Sequence, residues 1–98
     1  MTPEELLPVS QPAVRLLSAL ANQKRLMIMS YLFQGELSVN ALAHKVGLSQ
    51  SALSQHLAKL RTVGIVSTRR DGQTIFYKSV SDDAKTVVEA LFKVYAAK

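Results

Sequence analysis

The chain has no cysteine at all. That absence excludes a disulfide framework, a thiolate metal site and a redox-sensing thiol. No apolar run approaches the length of a membrane span. The opening "MTPEELLPVSQP" lacks the basic stretch and long apolar core of a secretory signal, so a cytoplasmic protein is expected. There is no glycine-rich phosphate loop, and the only histidines are His44 and His56. These two fall on separate predicted helices with no carboxylate to orient either, so acid–base catalysis has no constellation to rest on. The serines near them lack a base in a suitable local pattern. An enzyme is not expected, and neither is a cofactor.

What is present points elsewhere. Ninety-eight residues make one domain with a modest core, and the 48% apolar content marks a folded chain. The formal charge of +5 favours a polyanionic partner, nucleic acid ahead of an anionic membrane surface.

All three prolines, Pro3, Pro8 and Pro12, lie in the first dozen residues. Residues 1–12 therefore read as a short arm, and 13–98 as the folded domain. From Ala13, the residues Val14, Leu16, Leu17, Leu20 and Ala21 recur at helical spacing. Asn22 is placed to cap a helix over Gln23 to Gln34, which Gly35 ends. Ser38 caps a short helix, Val39 to Val46, and Gly47 breaks it. Ser49 caps the next, Gln50 to about Thr62, closed by Gly64. "IVSTRRDGQTIFYKSV" then reads as two β-prone runs around Asp71-Gly72, a dipeptide favoured in two-residue type I′ turns. Ser81 or Asp82 caps a last helix whose Ala84, Val87, Val88, Leu91, Val94 and Tyr95 form a seam. The order is that of a winged helix-turn-helix: mainly α, about five helices with one β-hairpin wing.

In "GLSQSALSQHLAKLR", Leu53, Leu57 and Leu60 share one helix face. The opposite face carries Ser51, Ser54, Gln55, Ala58 and Lys59, with Gln50 and His56 on its flanks. A helix in the major groove needs short side chains and amides that can pair with base edges. Glutamine can bond bidentately to adenine, and serine can donate or accept. No carboxylate stands between Gln50 and Arg61 to repel phosphate. A solvated helix rich in Ser and Gln would look the same in isolation; the preceding short helix and glycine turn favour the groove. His44, Lys45 and Ser49 are candidates for backbone phosphates as the preceding helix crosses them. Arg69 and Arg70, with Gln73 and Thr74 beside them, suit a wing tip at the minor groove or its phosphates. Lys24 and Arg25 open a helix, where positive charge opposes the dipole, and ion pairing or solvation is expected for both.

"LSALANQKRLMIMSYL", "ELSVNALAHKVGLSQSALSQHLAKLR" and "VSTRRDGQTIFY" together resemble the ArsR/SmtB family of bacterial transcriptional regulators, within its NolR/HlyU-like subgroup. The resemblance runs from about Leu16 to Tyr95. It implies a homodimer on pseudo-palindromic operator DNA, usually a repressor, with the second helix of the helix-turn-helix in the major groove. It also implies base reading by Gln50, Ser51, Ser54 and Gln55, and a dimer interface formed by the first and last helices. The family's triggers do not carry over. Ser38 and Asn40 stand where its arsenic and cadmium sensors place cysteines. The last helix, "SDDAKTVVEALFKVYAAK", has no histidine to complete a zinc site with Asp82, Asp83 and Glu89. No small-molecule effector follows from the residues.

Dimerisation has a physical argument of its own. Pro12 to Ala21 and Asp83 to Ala97 are strongly apolar for terminal helices of so small a domain. Val14, Leu17, Val87, Val88, Leu91, Val94 and Tyr95 are the expected interface. Pairing through them would set two reading helices about 34 Å apart, one turn of DNA. The rival readings are a winged-helix module for protein contacts and an activator that acts by displacing a silencer. A protein-binding module has no need of the basic balance or of a helix face without acids.

Overall fold

A computed structural model describes the chain from Met1 to Lys98. Four of its helices start at polar side chains that accept a backbone N–H of the first turn. Asn22 Oδ1 accepts from Arg25 N and starts α3, Gln23–Gln34. Ser38, Ser49 and Ser81 do the same with their hydroxyls for α4, Val39–Val46, α5, Gln50–Thr62, and α6, Asp82–Ala96. Each satisfies a donor that the helix leaves unpaired. Between α4 and α5, Gly47 takes the left-handed conformation (φ +70°) that glycine adopts without strain, and this makes the tight corner of the helix-turn-helix.

Three features were not legible in the sequence. The short arm ahead of Ala13 is itself helical. Thr2 and Glu5 form a reciprocal capping box on α1, Pro3–Leu6, a 3-10 turn follows over Leu7–Val9, and α2 runs Ser10–Leu20. Pro12 sits in the first turn of α2, where a missing N–H removes no intrahelical bond. Second, the hairpin turn lies one residue later than Asp71-Gly72. Asp71 pairs with Thr74, so β2 is Val66–Asp71, β3 is Thr74–Ser79, and Gly72-Gln73 form the two-residue loop. Only Gly72 of that pair has positive φ, which fits a type II′ turn and rules out type I′. Third, the sheet has a further strand, β1, Leu37–Ser38, antiparallel to β3 in the order β1-β3-β2. The architecture is otherwise the one expected: a helical core with the helix-turn-helix on one side and the β2–β3 wing beside it.

The core is built around Ile28 and Met29 of α3, Leu42 of α4, and Leu53, Leu57 and Leu60 of α5, all essentially inaccessible to solvent. Lys24 and Arg25 are neither ion-paired nor simply solvated. Lys24 Nζ donates to Val46 O (2.7 Å), at the C-terminal end of α4. Arg25 is 8% exposed; its Nε donates to Ala19 O (2.6 Å) and its Nη2 to Ser18 O (3.3 Å), carbonyls at the end of α2. Both cations leave the unfavourable N-terminus of their own helix and settle at the negative C-terminus of another. Arg25 Nη1 also lies 3.3 Å from His56 Nδ1 on α5. A guanidinium has no acceptor, so this contact assigns the lone pair to Nδ1 and the proton of a neutral ring to Nε2. Burial pushes the His56 pKa below the ordinary histidine value, and the charges of Arg25 and Lys59 lower it further.

Two outcomes are expected. Arg25→Met strips three polar groups of a buried partner and lowers stability by about 1–3 kcal/mol, read from urea midpoints. Because the folded state depresses the His56 pKa, its contribution is complete above the ordinary histidine pKa and is lost as pH falls through the lowered one. The urea midpoint of His56→Gln should therefore fall less than that of the unsubstituted protein over the same acid range.

Candidate nucleic-acid interface

The leucine stripe fixes how α5 is turned. With Leu53, Leu57 and Leu60 buried, the side chains of Ser51, Ser54, Gln55, Ala58 and Lys59 are left exposed on a surface without carboxylates. Ser49, besides capping the helix, lies 3.4 Å hydroxyl to hydroxyl from Ser51. Gln50 does not stand free: its amide nitrogen donates to Asn40 Oδ1 in the first turn of α4. Asn40 was not foreseen beside the reading face. It lies ten residues before Gln50, and no local spacing rule joins the two; the αL corner at Gly47 does.

The wing meets this face across a cleft. Asn40, Gln50 and Ser54 line one wall, Gln73 and Thr74 the other, with Leu57, Ile75 and Tyr77 beneath them. Four of the predicted residues are thus brought together. The two arginines are separated by strand alternation. Arg69 turns back to Glu36, with Nε 2.9 Å from both carboxylate oxygens and Nη2 2.7 Å from Oε1, and its guanidinium lies 4.4 Å from the centre of the Phe76 ring. This hydrogen bonding holds the Glu36 carboxyl below its ordinary pKa and raises that of Arg69. Arg69 therefore ties the wing to the segment leading into β1. Arg70 is exposed and forms no salt bridge.

The other predicted residues divide. His44 and Lys45 are exposed in the last turn of α4, and Lys45 Nζ stands 5.7 Å from the centre of the Tyr31 ring. His56 is half-buried against Arg25, on the flank of α5 away from the wing, with Lys59 near it. Of the apolar surface residues, Val14, Leu17, Leu91, Val94 and Tyr95 are exposed, Val14 by 62% and Tyr95 by 71%. Val87 and Val88 instead pack partly on the chain's own core. Phe92, absent from the predicted set, is 72% exposed on α6 beside Leu91. Its position one residue along from the seam concealed it.

A model of the arsR family of bacterial regulatory proteins matches residues 22–68. The nodulation protein NolR of Rhizobium meliloti is 59% identical over 83 residues, covering 85% of this chain and 68% of NolR. The transcriptional activator HlyU of Vibrio cholerae is 47% identical over 95 residues, covering 97% of this chain and 88% of HlyU. Among solved structures, the transcriptional repressor BigR from Xylella fastidiosa superposes with a TM-score of 0.90 at 38% identity, covering 97% of each chain. A homodimeric winged helix-turn-helix DNA-binding domain from Mycobacterium bovis gives 0.78 at 31% identity, covering 99% of this chain and 88% of that one. With a carboxylate-free helix presented beside a wing, and relatives of this closeness, the chain belongs to the arsR family of bacterial regulatory proteins: a DNA-binding transcriptional regulator, not an enzyme.

Proposed function

We propose that the protein is a repressor that binds a pseudo-palindromic operator as a homodimer in the cytoplasm. The observation that carries this reading is the outward face of α5. It offers Gln50, Ser51, Ser54 and Gln55 without a carboxylate and shares a cleft with Gln73 and Thr74 of the wing. Amides and hydroxyls there suit base edges in the major groove. Lys59, His56 and the N-terminus of α5 with Ser49 suit the phosphates that flank it, as do His44 and Lys45 on α4. Arg70 is the wing arginine left over for DNA, since Arg69 is engaged by Glu36.

Self-association is supported by the exposed apolar side chains of α2 and α6: Val14, Leu17, Leu91, Phe92, Val94 and Tyr95. So many large apolar side chains left in water on two helices of a small domain favour a partner surface. The Mycobacterium bovis relative is a homodimer, and BigR is a repressor. HlyU is named an activator, which supports the second reading, in which the protein relieves another silencer at the same DNA. Release by thiol chemistry has no residue to work through.

Binding to duplexes selected from random sequence tests the reading. Gln50→Ala and Ser54→Ala each relax base preference, at about 1–3 kcal/mol per lost base contact, in competition gel shifts. Arg70→Ala weakens all sequences alike and makes the salt dependence shallower by about one phosphate contact. A Gln50→Ala protein with unchanged preference would overturn the assignment of α5. In light scattering, Leu17→Asp with Phe92→Asp yields a folded monomer that no longer distinguishes a two-half-site operator from a single half-site.

A further inference from the structure

On the flank of α5 that faces away from the wing there is an open depression lined by Arg25, Gln55, His56, Lys59 and Thr62. No carboxylate lines it. Arg25, a residue only 8% exposed, lines it, and its guanidinium still has N–H groups to spare. A guanidinium carries five donors, and Arg25 spends one on Ala19 O, one on Ser18 O and one on His56 Nδ1. Lys59, Gln55 and His56 line the same depression, and with Nδ1 facing Arg25 the His56 ring carries its proton on Nε2. Cations and donors crowd together here with nothing negative between them.

We propose that this depression is a binding site for one backbone phosphate of the operator, held by Arg25, His56 and Lys59. The proposal rests on α5 entering the major groove. A helix in the groove has a phosphate strand along each flank; the wing side of α5 faces one, and this depression lies where the other passes. A phosphate oxygen takes the spare guanidinium donors, the Lys59 ammonium and the His56 Nε2–H, and Gln55 stays turned to the bases.

Filling the site changes what His56 experiences. In the free protein the charged groups facing the ring are Arg25 from α3 and Lys59 from its own helix, both positive. The end of α2 contributes only the Ser18 and Ala19 carbonyls, already bonded to Arg25. A phosphate against the same three groups replaces repulsion with attraction, so the charged imidazolium is favoured. The ring takes up a proton, and the Arg25 N–H that pointed at Nδ1 swings to the phosphate. The sign is fixed by linkage: if DNA raises the His56 pKa, operator affinity is greatest below the free value and declines as pH rises through the bound one.

The test is a titration of the His56 imidazole by NMR, free and bound to a selected operator duplex, with affinity measured at constant salt from about pH 8 to about pH 5.5. The expected result is a higher His56 pKa in the complex and an affinity that rises toward acid, roughly tenfold for a shift of about one unit. His56→Gln flattens the profile, and Lys59→Ala shrinks it. Neither depends on removing the buried Arg25. In duplexes carrying one neutral methylphosphonate each, a single position per half-site abolishes the slope. Millimolar inorganic phosphate without DNA leaves the ring's pKa where it was. A slope that survives in His56→Gln, or in every methylphosphonate duplex, would overturn the site. So would a shift produced equally by free phosphate, which would make it a free-anion site. Specific binding with a flat profile sinks this site alone, whereas failure to bind duplex DNA sinks the parent reading with it.

Discussion

Burial of Leu53, Leu57 and Leu60 is the constraint on which everything functional in this molecule depends. Each side chain is worth roughly 1.5–3 kcal/mol when removed from water. Together they lock the rotation of α5 about its axis, because no other turn of the helix hides all three. With that rotation settled, the positions between them have no choice of direction. Ser51, Ser54, Gln55 and Lys59 face outward, and His56 is left at the boundary between core and surface.

Around that leucine anchor, most of the polar interactions repair helix ends. Lys24 serves the C-terminus of α4, Arg25 that of α2, and the hydroxyls of Ser38, Ser49 and Ser81 serve three N-termini. A small domain made of short helices has many such ends, and unsatisfied groups there cost as much as core contacts contribute. The same economy shapes the site. Ser49 both starts the reading helix and stands beside Ser51 at its positive end, and Arg25, spent on helix repair, reaches the ring of His56. Glu36 holds Arg69 so that one wing arginine works within the fold and the other faces outward.

The helix boundaries were legible because their causes are local. Asn22, Gly35, Ser38, Gly47, Ser49 and Ser81 each act within four residues of themselves. The reading face was legible for the same reason, as a leucine period with polar residues opposite. Other features were not. β1 is two residues long, too short to show alternation, and its Ser38 also caps a helix. The turn moved from Asp71-Gly72 to Gly72-Gln73 because register is decided by pairing along both strands, from Val66–Ser79 to Asp71–Thr74, and not by the preferred dipeptide alone.

The sequence by itself determined the order of the main helices and the wing, the basic balance, the lack of thiol chemistry and the composition of the surface presented by α5. These follow from residue inventory and from periodicities that span a few turns. Only the tertiary structure decided the pairings: Asn40 with Gln50, Glu36 with Arg69, Lys24 with Val46, and Arg25 with the end of α2 and with His56. All join residues on different elements or across a turn. A long cationic side chain goes to whichever carbonyl, ring or carboxylate packing brings within reach, and one-dimensional spacing does not record that distance.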